Sequence, residues 1–476
     1  MCIRDRLTGV ASTENIRTNT NATFLQNINV SGTSTVAGTS TANLFSGSGA
    51  SLTSLPAAQL SGTAAAINGS NITNLTAGNL TGTLPAIDGS ALTGIAATAN
   101  VRTGILDVAG IATFRSDVNM SNINGGQIGG RRNLIINGAM MVAQRGTSST
   151  TVGYQTLDRY YLDFTGLDES PTQAQVDVAS GTTPYTNGFR KAYKITNGNQ
   201  TSGAGSSDGI FLNYSIEAQD VANSGWNYTS SSSFVTLSFW VKSSVAQNFY
   251  GRLYSYDGTA QGYAFETGSL TADTWTKVTN TIPGNSNLTF DNNNAAGLLL
   301  ELVAFRGTGF TASMTLNQWA AYNSNSRVPD MTSTWYTTND ATLEFTGIQL
   351  EVGSQATPFE HRSYGEELSL CQRYYFNTGG YAYGGSSWHP NGAALEDAYG
   401  SARFPTTMRA NPTIVLKDAN GNTDGRVTQW GAAHDIAATA SYISETGFQK
   451  IMKSSGTFNN TTNWVISAGY TADAEL

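Results

Sequence analysis

Charge is scarce in this sequence: acidic and basic residues make up 12% of its 476 positions, about half the usual share near 25%. The net charge is −8, and basic residues do not cluster beyond pairs such as Arg131–Arg132. A nucleic-acid-binding surface needs a basic patch, so nucleic acid is excluded as a partner. The length exceeds that of one ordinary domain and predicts two or three.

Cysteine and histidine are also rare, with two and three residues in the sequence. The two cysteines are Cys2 and Cys371, and His361, His389 and His434 are not at metal-ligand spacing from a second His or Cys. This excludes the disulfide framework of a small secreted domain and a zinc site of the usual kind. Apolar runs are too short to cross a bilayer. We therefore expect no cofactor, no bound metal, no membrane insertion and no signal peptide.

The N-terminal part repeats itself every twenty residues. Within about 47–96, aliphatic residues recur in phase, as at Leu52, Ile72 and Leu92. Each unit has too few aliphatics to form a core within one chain. We therefore expect copies of the chain to wind together as a β fibre shaft over 7–130 and to form a homotrimer. A flexible Gly/Ser/Thr linker is the alternative, but it would not need aliphatics at fixed phase.

The first residues do not fit the repeat. Residues 7–18 resemble residues 92–103, so the sequence begins in the middle of a repeat. Residues 1–6, MCIRDR, match neither repeat and resemble a translated sequencing adapter. We expect them to be a scar, and the natural chain to extend further toward an N-terminus that attaches to a partner.

From residue 131 aromatics become frequent and short alternating runs indicate a β-sandwich over 131–362. Residues 234–241 (FVTLSFWV) and 249–256 (FYGRLYSY) predict a hairpin that pairs Leu237 with Leu253 on a core face. The opposite face would be a sugar platform, because aromatic rings stack on the C–H faces of pyranose rings. A covering loop or a neighbouring subunit is the alternative. The predicted glycan-binding residues are Trp240, Tyr250, Arg252, Tyr254 and Tyr256.

Sequence patterns also predict a central strand, a helical connector and a C-terminal knob. Leu298–Phe305 is apolar at nearly every position and predicts a central strand. Ser363 and Glu366 have capping-box spacing and predict a short helical connector over 363–376, which would pack three copies around an axis or cover its own domain. Residues 377–476 return to β-like runs and predict a C-terminal knob. Its alternative receptor contacts, each of which could instead be a core residue, are Trp388, Tyr399, Arg403 and Trp430.

The sequence singles out no catalytic residue. A glycosidase needs two carboxylates about 5–10 Å apart, one of them with a raised pKa. Ser207 lies in a Gly-x-Ser-x-Gly pattern but lacks the strand–turn–helix context of a nucleophile elbow. We expect a non-enzymatic protein. The carboxylates that could serve, but that no spacing selects, are Glu217, Asp220, Glu266 and Glu301.

Several segments resemble a domain recurrent in bacteriophage tail-fibre proteins, over about residues 131–476. They are NLIINGAMMVAQRG (133–146), LDRYY (157–161), FTGIQLEVGSQATPFEHRSYGEELSLCQRYY (345–375) and the final YTADAEL (470–476). More loosely, NLIINGAM and IQLEVG resemble the first and last strands of jelly-roll carbohydrate-binding modules. Those modules often carry an acidic calcium ligand after the opening NG. This chain has Ala139, Met140 and Met141 there, so we do not predict calcium.

The resemblance implies a mostly β virion protein made in the host cytoplasm. It would be a homotrimeric tail fibre, attached at its N-terminus to a phage tail or baseplate protein, with a jelly-roll-like domain that binds a bacterial surface glycan. Two alternatives stay open. A tailspike-type depolymerase would cut the polysaccharide that it binds, whereas a purely structural virion fibre or a bacterial surface adhesin would have no glycan site.

Overall fold

The computed structural model describes residues 29–41, 43–44, 46, 132–312, 314–379, 388–391, 397–418, 421–429, 435–454, 458, 466–467 and 469–476. The chain divides into two compact units, residues 1–110 and 111–476. Residues 29–41 of the predicted shaft carry neither helix nor strand and are exposed. The repeats at about 47–96, the suspected scar 1–6 and Trp430 lie outside the described residues. The shaft and the domain boundaries therefore stay predictions.

The described part of the second unit is mostly β-structure, as predicted. Three short helices and one longer one accompany the strands. The strands of residues 148–352 are β1 (Ser148–Ser149), β2 (Tyr161–Thr165), β3 (Thr172–Asp177), β4 (Lys191–Thr196), β5 (Gly209–Glu217), β6 (Phe234–Ser243), β7 (Asn248–Ser255), β8 (Gln261–Ser269), β9 (Thr276–Pro283), β10 (Ala296–Arg306), β11 (Trp319–Ala321) and β12 (Thr342–Val352). The helices are α1 (Thr183–Thr186), α2 (Ala218–Ala222), α3 (Thr334–Thr337) and α4 (Tyr364–Gln372).

These strands form two six-stranded antiparallel sheets, which pack as a β-sandwich. The first sheet has the order β1-β3-β4-β12-β6-β9 and the second β11-β8-β7-β10-β5-β2. The core between them contains inward side chains of both sheets, such as Leu237 and Phe239 of β6 and Leu253 of β7, all fully buried. Leu298–Phe305 lies in β10 between β7 and β5, which confirms the predicted central strand.

The predicted hairpin of residues 234–256 is wrong. β6 pairs with β9 and β12, whereas β7 pairs with β8 and β10, so the two strands belong to opposite sheets. Residues 244–247 carry the chain across the sandwich. The predicted core face is correct, because the alternation of the two strands fixes which side chains point inward and leaves the pairing partner open.

Helix α4 begins where the capping box predicts. The backbone N–H of Glu366 donates to Ser363 Oγ at 3.3 Å, and the helix ends at Gln372, a few residues before the predicted boundary. Cys371 is fully buried and Leu368 packs against the sandwich core. The apolar side of the helix therefore covers its own domain.

Residues 375–473 form two further sheets. Their strands are β13 (Tyr375–Asn377), β14 (His389–Asn391), β15 (Asp397–Arg403), β16 (Thr413–Lys417), β17 (Arg426–Gln429), β18 (Asp435–Ser444), β19 (Gly447–Lys453), β20 (Ile466–Ser467) and β21 (Gly469–Asp473). The sheet orders are β13-β21-β16 and β14-β15-β19-β18-β17-β20. A separate apolar core lies among these strands, with Trp388, Phe448 and Ile451 fully buried.

The final residues return to the sandwich. The backbone N–H of Ala474 donates to the carbonyl oxygen of Tyr374 at 2.7 Å. Glu475, nearly buried, forms ion pairs with Arg145 at 3.3 Å and with Arg159. The YTADAEL ending thus joins strand β21 to the sandwich, which gives its sequence a structural role.

Candidate functional site

The structure does not bring the five predicted glycan-binding residues together. Because β6 and β7 lie in opposite sheets, Trp240 is on the outer face of the first sheet, and Tyr250, Arg252 and Tyr254 are on the outer face of the second. The single platform predicted from the hairpin register therefore becomes two separate surfaces, one on each side of the sandwich.

On the second sheet, Arg252 is a structural residue. Its guanidinium donates to both oxygens of Glu301 at 3.1 and 3.0 Å, and Arg306 donates to the same oxygens at 3.2 and 2.8 Å. All three side chains are buried. Burial opposes ionisation of Glu301, but the two arginines outweigh it and hold the pKa of Glu301 at about 2. Arg252 therefore has no free face for sugar hydroxyls, which corrects its predicted role.

The neighbouring tyrosines differ in their exposure. Tyr250 is partly buried and packs against Phe211, Val303 and Val328, so little of its ring is available to a ligand. Tyr254 contacts the ring edges of Tyr256 and Tyr322, with centroids 4.8 and 4.7 Å apart, and Tyr256 is 43% exposed. Tyr254 and Tyr256 thus form a small aromatic patch whose glycan binding stays a prediction.

On the first sheet, Trp240 lines an open cleft of about 220 Å³. Phe189, Phe359 and His361 form a triangle of rings in its wall, with centroids 4.9 to 5.2 Å apart. The indole of Trp240 is half-buried, and the polar edge of the cleft consists of Asn187, Ser238 and Lys277.

A second lobe of about 140 Å³ adjoins this cleft and shares Phe189 and His361 with it. Its other side carries Arg190, Arg362 and Tyr364. We call the two lobes together the aromatic cleft, and distinguish the Trp240 lobe from the Arg190 lobe. Both are smaller than the roughly 300–1,000 Å³ of sites for drug-sized ligands, so each fits a small group such as one sugar ring.

Two glycines allow the rings to approach the backbone. Gly347 lies at a bulge of β12 with φ of +63°, and a Cβ there would lie 2.5 Å from Cζ of Phe189. Gly188 has φ of +95°, and a Cβ there would lie 3.0 Å from the ring of His361. His361 is further fixed because its Nε2–H donates to the carbonyl oxygen of Asn187 at 2.9 Å. The rings of the cleft wall are therefore held in place by the fold.

The segment that carries the family resemblance has two roles. Its acidic residues order the backbone: Glu360 accepts from the backbone N–H of Asn133 in the N-terminal segment of the sandwich at 2.8 Å, and Glu351 accepts from that of Thr357 within the segment itself at 2.8 Å. Its Phe359 and His361 instead face the aromatic cleft. Sequence reasoning missed Phe189, Phe359 and His361 as site residues, although the motif ATPFEHRSY that contains two of them was the available signal.

The predicted receptor contacts in the knob differ in exposure. Trp388 is fully buried and stacks on Phe448 with centroids 5.1 Å apart, so it is a core residue. Tyr399 is 39% exposed, and Lys450 Nζ lies 5.6 Å from its ring. Arg403 is exposed on the same strand. Tyr399 and Arg403 remain candidate contacts.

Two of the four carboxylates considered for catalysis, Glu217 and Glu301, are engaged in structure. Glu217 accepts from Arg373 at 2.8 and 2.9 Å and from the Tyr374 hydroxyl at 2.5 Å. Burial acts in the opposite direction, but these hydrogen bonds lower the pKa of Glu217. A general acid needs a raised pKa, which neither Glu217 nor Glu301 has. Ser207 lies in a loop directly before β5, without a following helix.

Across 132–312, 314–379 and the shorter described stretches, no group of three His, Cys, Asp or Glu side chains is placed to hold a metal ion. Among the helices of the described chain, none has the length and apolar character to span a membrane.

No family model and no curated protein matches the sequence. Solved structures do match, at low sequence identity. The chain is similar to the enzymatically active domain of tailspike protein 4 of bacteriophage CBA120, with 8% identity and a TM-score of 0.24 over 46% of this chain and 21% of that chain. A putative sugar binding protein from Bacteroides thetaiotaomicron has 12% identity and a TM-score of 0.25, over 46% and 100% of the two chains. A family 11 carbohydrate-binding module from Clostridium thermocellum has 10% identity and a TM-score of 0.20, over 45% and 98%.

Proposed function

We propose that this chain is a bacteriophage tail fibre that adheres to the bacterial host surface by binding a surface glycan, without cleaving it. The observation that carries the proposal is the aromatic cleft beside Trp240. The accessible rings of Trp240, Phe359 and His361 supply faces for the C–H groups of a pyranose, and the exposed Asn187 supplies a partner for its hydroxyls. The nearly buried ring of Phe189 supports them from behind. The resemblance of residues 133–146 and 345–375 to tail-fibre domains supports the same function.

Weak single sites suit this role. The lobes of the aromatic cleft are small and open, so one of them alone would bind a sugar weakly. A homotrimer held together by the repetitive shaft would present three clefts on one stiff rod. Rebinding is then effectively intramolecular, and avidity can exceed the single-site affinity by about 10²–10⁴. The trimer, the virion location and the attachment to a tail or baseplate protein belong to this proposal.

A glycan array of bacterial surface polysaccharides tests the proposal, with the full chain and two variants. Trp240→Ala removes the indole and should weaken binding by about 2 kcal/mol, roughly thirtyfold in Kd. Tyr256→Ala removes an exposed ring from the opposite face of the sandwich and should leave binding unchanged. Loss with Tyr256→Ala alone would move the site to the second sheet, and an array without any binding would favour a purely structural fibre or adhesin.

The depolymerase alternative needs its own measurement. The bound polysaccharide is incubated with the full chain and the release of reducing ends is followed. We expect none, because Glu217 and Glu301 are held ionised by arginines. Release of reducing ends that disappears when one carboxylate is replaced would contradict the non-catalytic function.

A further inference from the structure

The aromatic cleft has one basic side chain in each lobe that no carboxylate neutralises. Lys277 on β9 and Arg190 before β4 are both exposed, and neither forms an ion pair within the part of the chain that the structure describes. The register places Lys277 directly beside Trp240. We propose that the ligand of the aromatic cleft is an acidic saccharide that offers one carboxylate to the cation of each lobe, an inference that rests on the proposed function.

The geometry of Arg190 leaves it ready for such a partner. Its Nη1 donates to the carbonyl oxygens of Tyr185 and Phe189, both at 2.9 Å, and its guanidinium lies 3.9 Å from the centroid of the Tyr185 ring. These contacts fix the planar group while its remaining N–H donors are free of carboxylates. A fixed guanidinium is well suited to a carboxylate, because the two planar groups match in hydrogen-bond geometry.

The acidic residues near the cleft are engaged by other groups of the chain. Glu367, which lines the Arg190 lobe, accepts from the backbone N–H of Asn137 and from Arg362 at 3.4 Å. Arg362 also pairs with Glu360 at 2.9 Å. On the same face of the sheet, Glu344 pairs with Lys242 at 3.1 Å. Together, the three positive charges of Arg190, Arg362 and Lys277 exceed the two negative charges of Glu360 and Glu367 by one, although the whole chain has a net charge of −8.

The combination of groups favours a sugar over a small free anion. The two cations are in different lobes, and the rings of Phe189 and His361 line both lobes between them. A free carboxylate would use a cation but leave the accessible rings of Trp240, Phe359 and His361 without a partner. An acidic sugar in a polysaccharide supplies a carboxylate together with C–H faces, so it can use both parts of the cleft.

The test compares acidic polysaccharides with their own neutral forms. The full chain is applied to immobilised bacterial polysaccharides that contain hexuronates, to the same polymers after chemical reduction of their carboxyl groups, and to neutral bacterial polysaccharides. We expect binding to hexuronate polymers that is lost on carboxyl reduction. Lys277→Gln and Arg190→Gln should each weaken it at least about tenfold, the effect of one charge-assisted hydrogen bond.

Matched variants separate charge from folding. Arg426→Gln removes an exposed cation from the knob and should leave binding unchanged, and Arg190→Lys keeps the charge and should retain part of the affinity. Binding that survives carboxyl reduction, or binding to neutral polymers alone, overturns the acidic ligand. If Trp240→Ala still weakens that binding, the proposed function stands. An absence of binding to every polymer overturns both.

Discussion

Gly347 is the residue on which the position of the cleft wall depends most directly. It has φ of +63°, and a Cβ at this position would lie 2.5, 2.9 and 3.0 Å from three atoms of the Phe189 ring. Contacts of carbon atoms are normally about 3.5–4.0 Å. The substitution Gly347→Ala therefore requires either the nearly buried ring of Phe189 or the bulge of β12 to move by about 1 Å.

The cost can be estimated from these two effects. The left-handed backbone conformation costs an alanine about 1 kcal/mol more than a glycine. Displacing a packed ring costs about 1–3 kcal/mol, as for other overpacked cores. We expect Gly347→Ala to lower the free energy of unfolding by about 2–4 kcal/mol, and to weaken glycan binding because Phe189 contacts Phe359 and His361.

Urea unfolding of the two variants Gly347→Ala and Gly203→Ala measures the loss in free energy of unfolding. Gly203 also has a positive φ, +75°, but a Cβ there would meet no atom within 4 Å. Gly203→Ala should therefore show the backbone cost alone, about 1 kcal/mol. Equal losses of stability in the two variants, with glycan binding intact in both, would refute the role assigned to the contact between Gly347 and Phe189.

Three further predictions concern buried groups. Glu301→Gln should lower the free energy of unfolding by about 3–5 kcal/mol, because Arg252 and Arg306 lose their shared charged partner. The stability that ionised Glu301 contributes should disappear as pH falls from about 4.5 toward 2. Urea unfolding of both proteins across this pH range checks the two expectations. Burial raises the pKa of Asp158 to about 6, so stability should fall as pH rises from about 4 to 6, and Asp158→Asn should remove this slope. Burial also raises the pKa of the Cys371 thiol, so a thiol reagent should label Cys371 after unfolding and leave Cys371 unlabelled in the native protein, as peptide mapping by mass spectrometry would show.

Local signals predicted well. The alternation of residues 234–241 and 249–256 identified the core residues Leu237 and Leu253, since a strand period is a property of one segment. The capping box at Ser363 located the start of α4 for the same reason. An apolar run identified the central strand β10.

The pairing of strands and the residues of the aromatic cleft could not be predicted from such local signals. β6 takes its partner from β12, about a hundred residues later, and the short segment 244–247 serves equally as a hairpin loop or as a crossing between sheets. The cleft joins Phe189, Trp240 and Phe359, which are far apart in sequence. Arg252 was misread because its partner Glu301 lies on another strand.

The central claim is that the aromatic cleft holds the host glycan. A crystal structure of the chain soaked with a fragment of its best-binding polysaccharide tests this most directly. We predict a sugar ring stacked on Trp240 with its substituents directed toward Lys277 or Arg190. A sugar bound instead at Tyr254 and Tyr256, or at Tyr399 in the knob, with an empty aromatic cleft, would contradict the account.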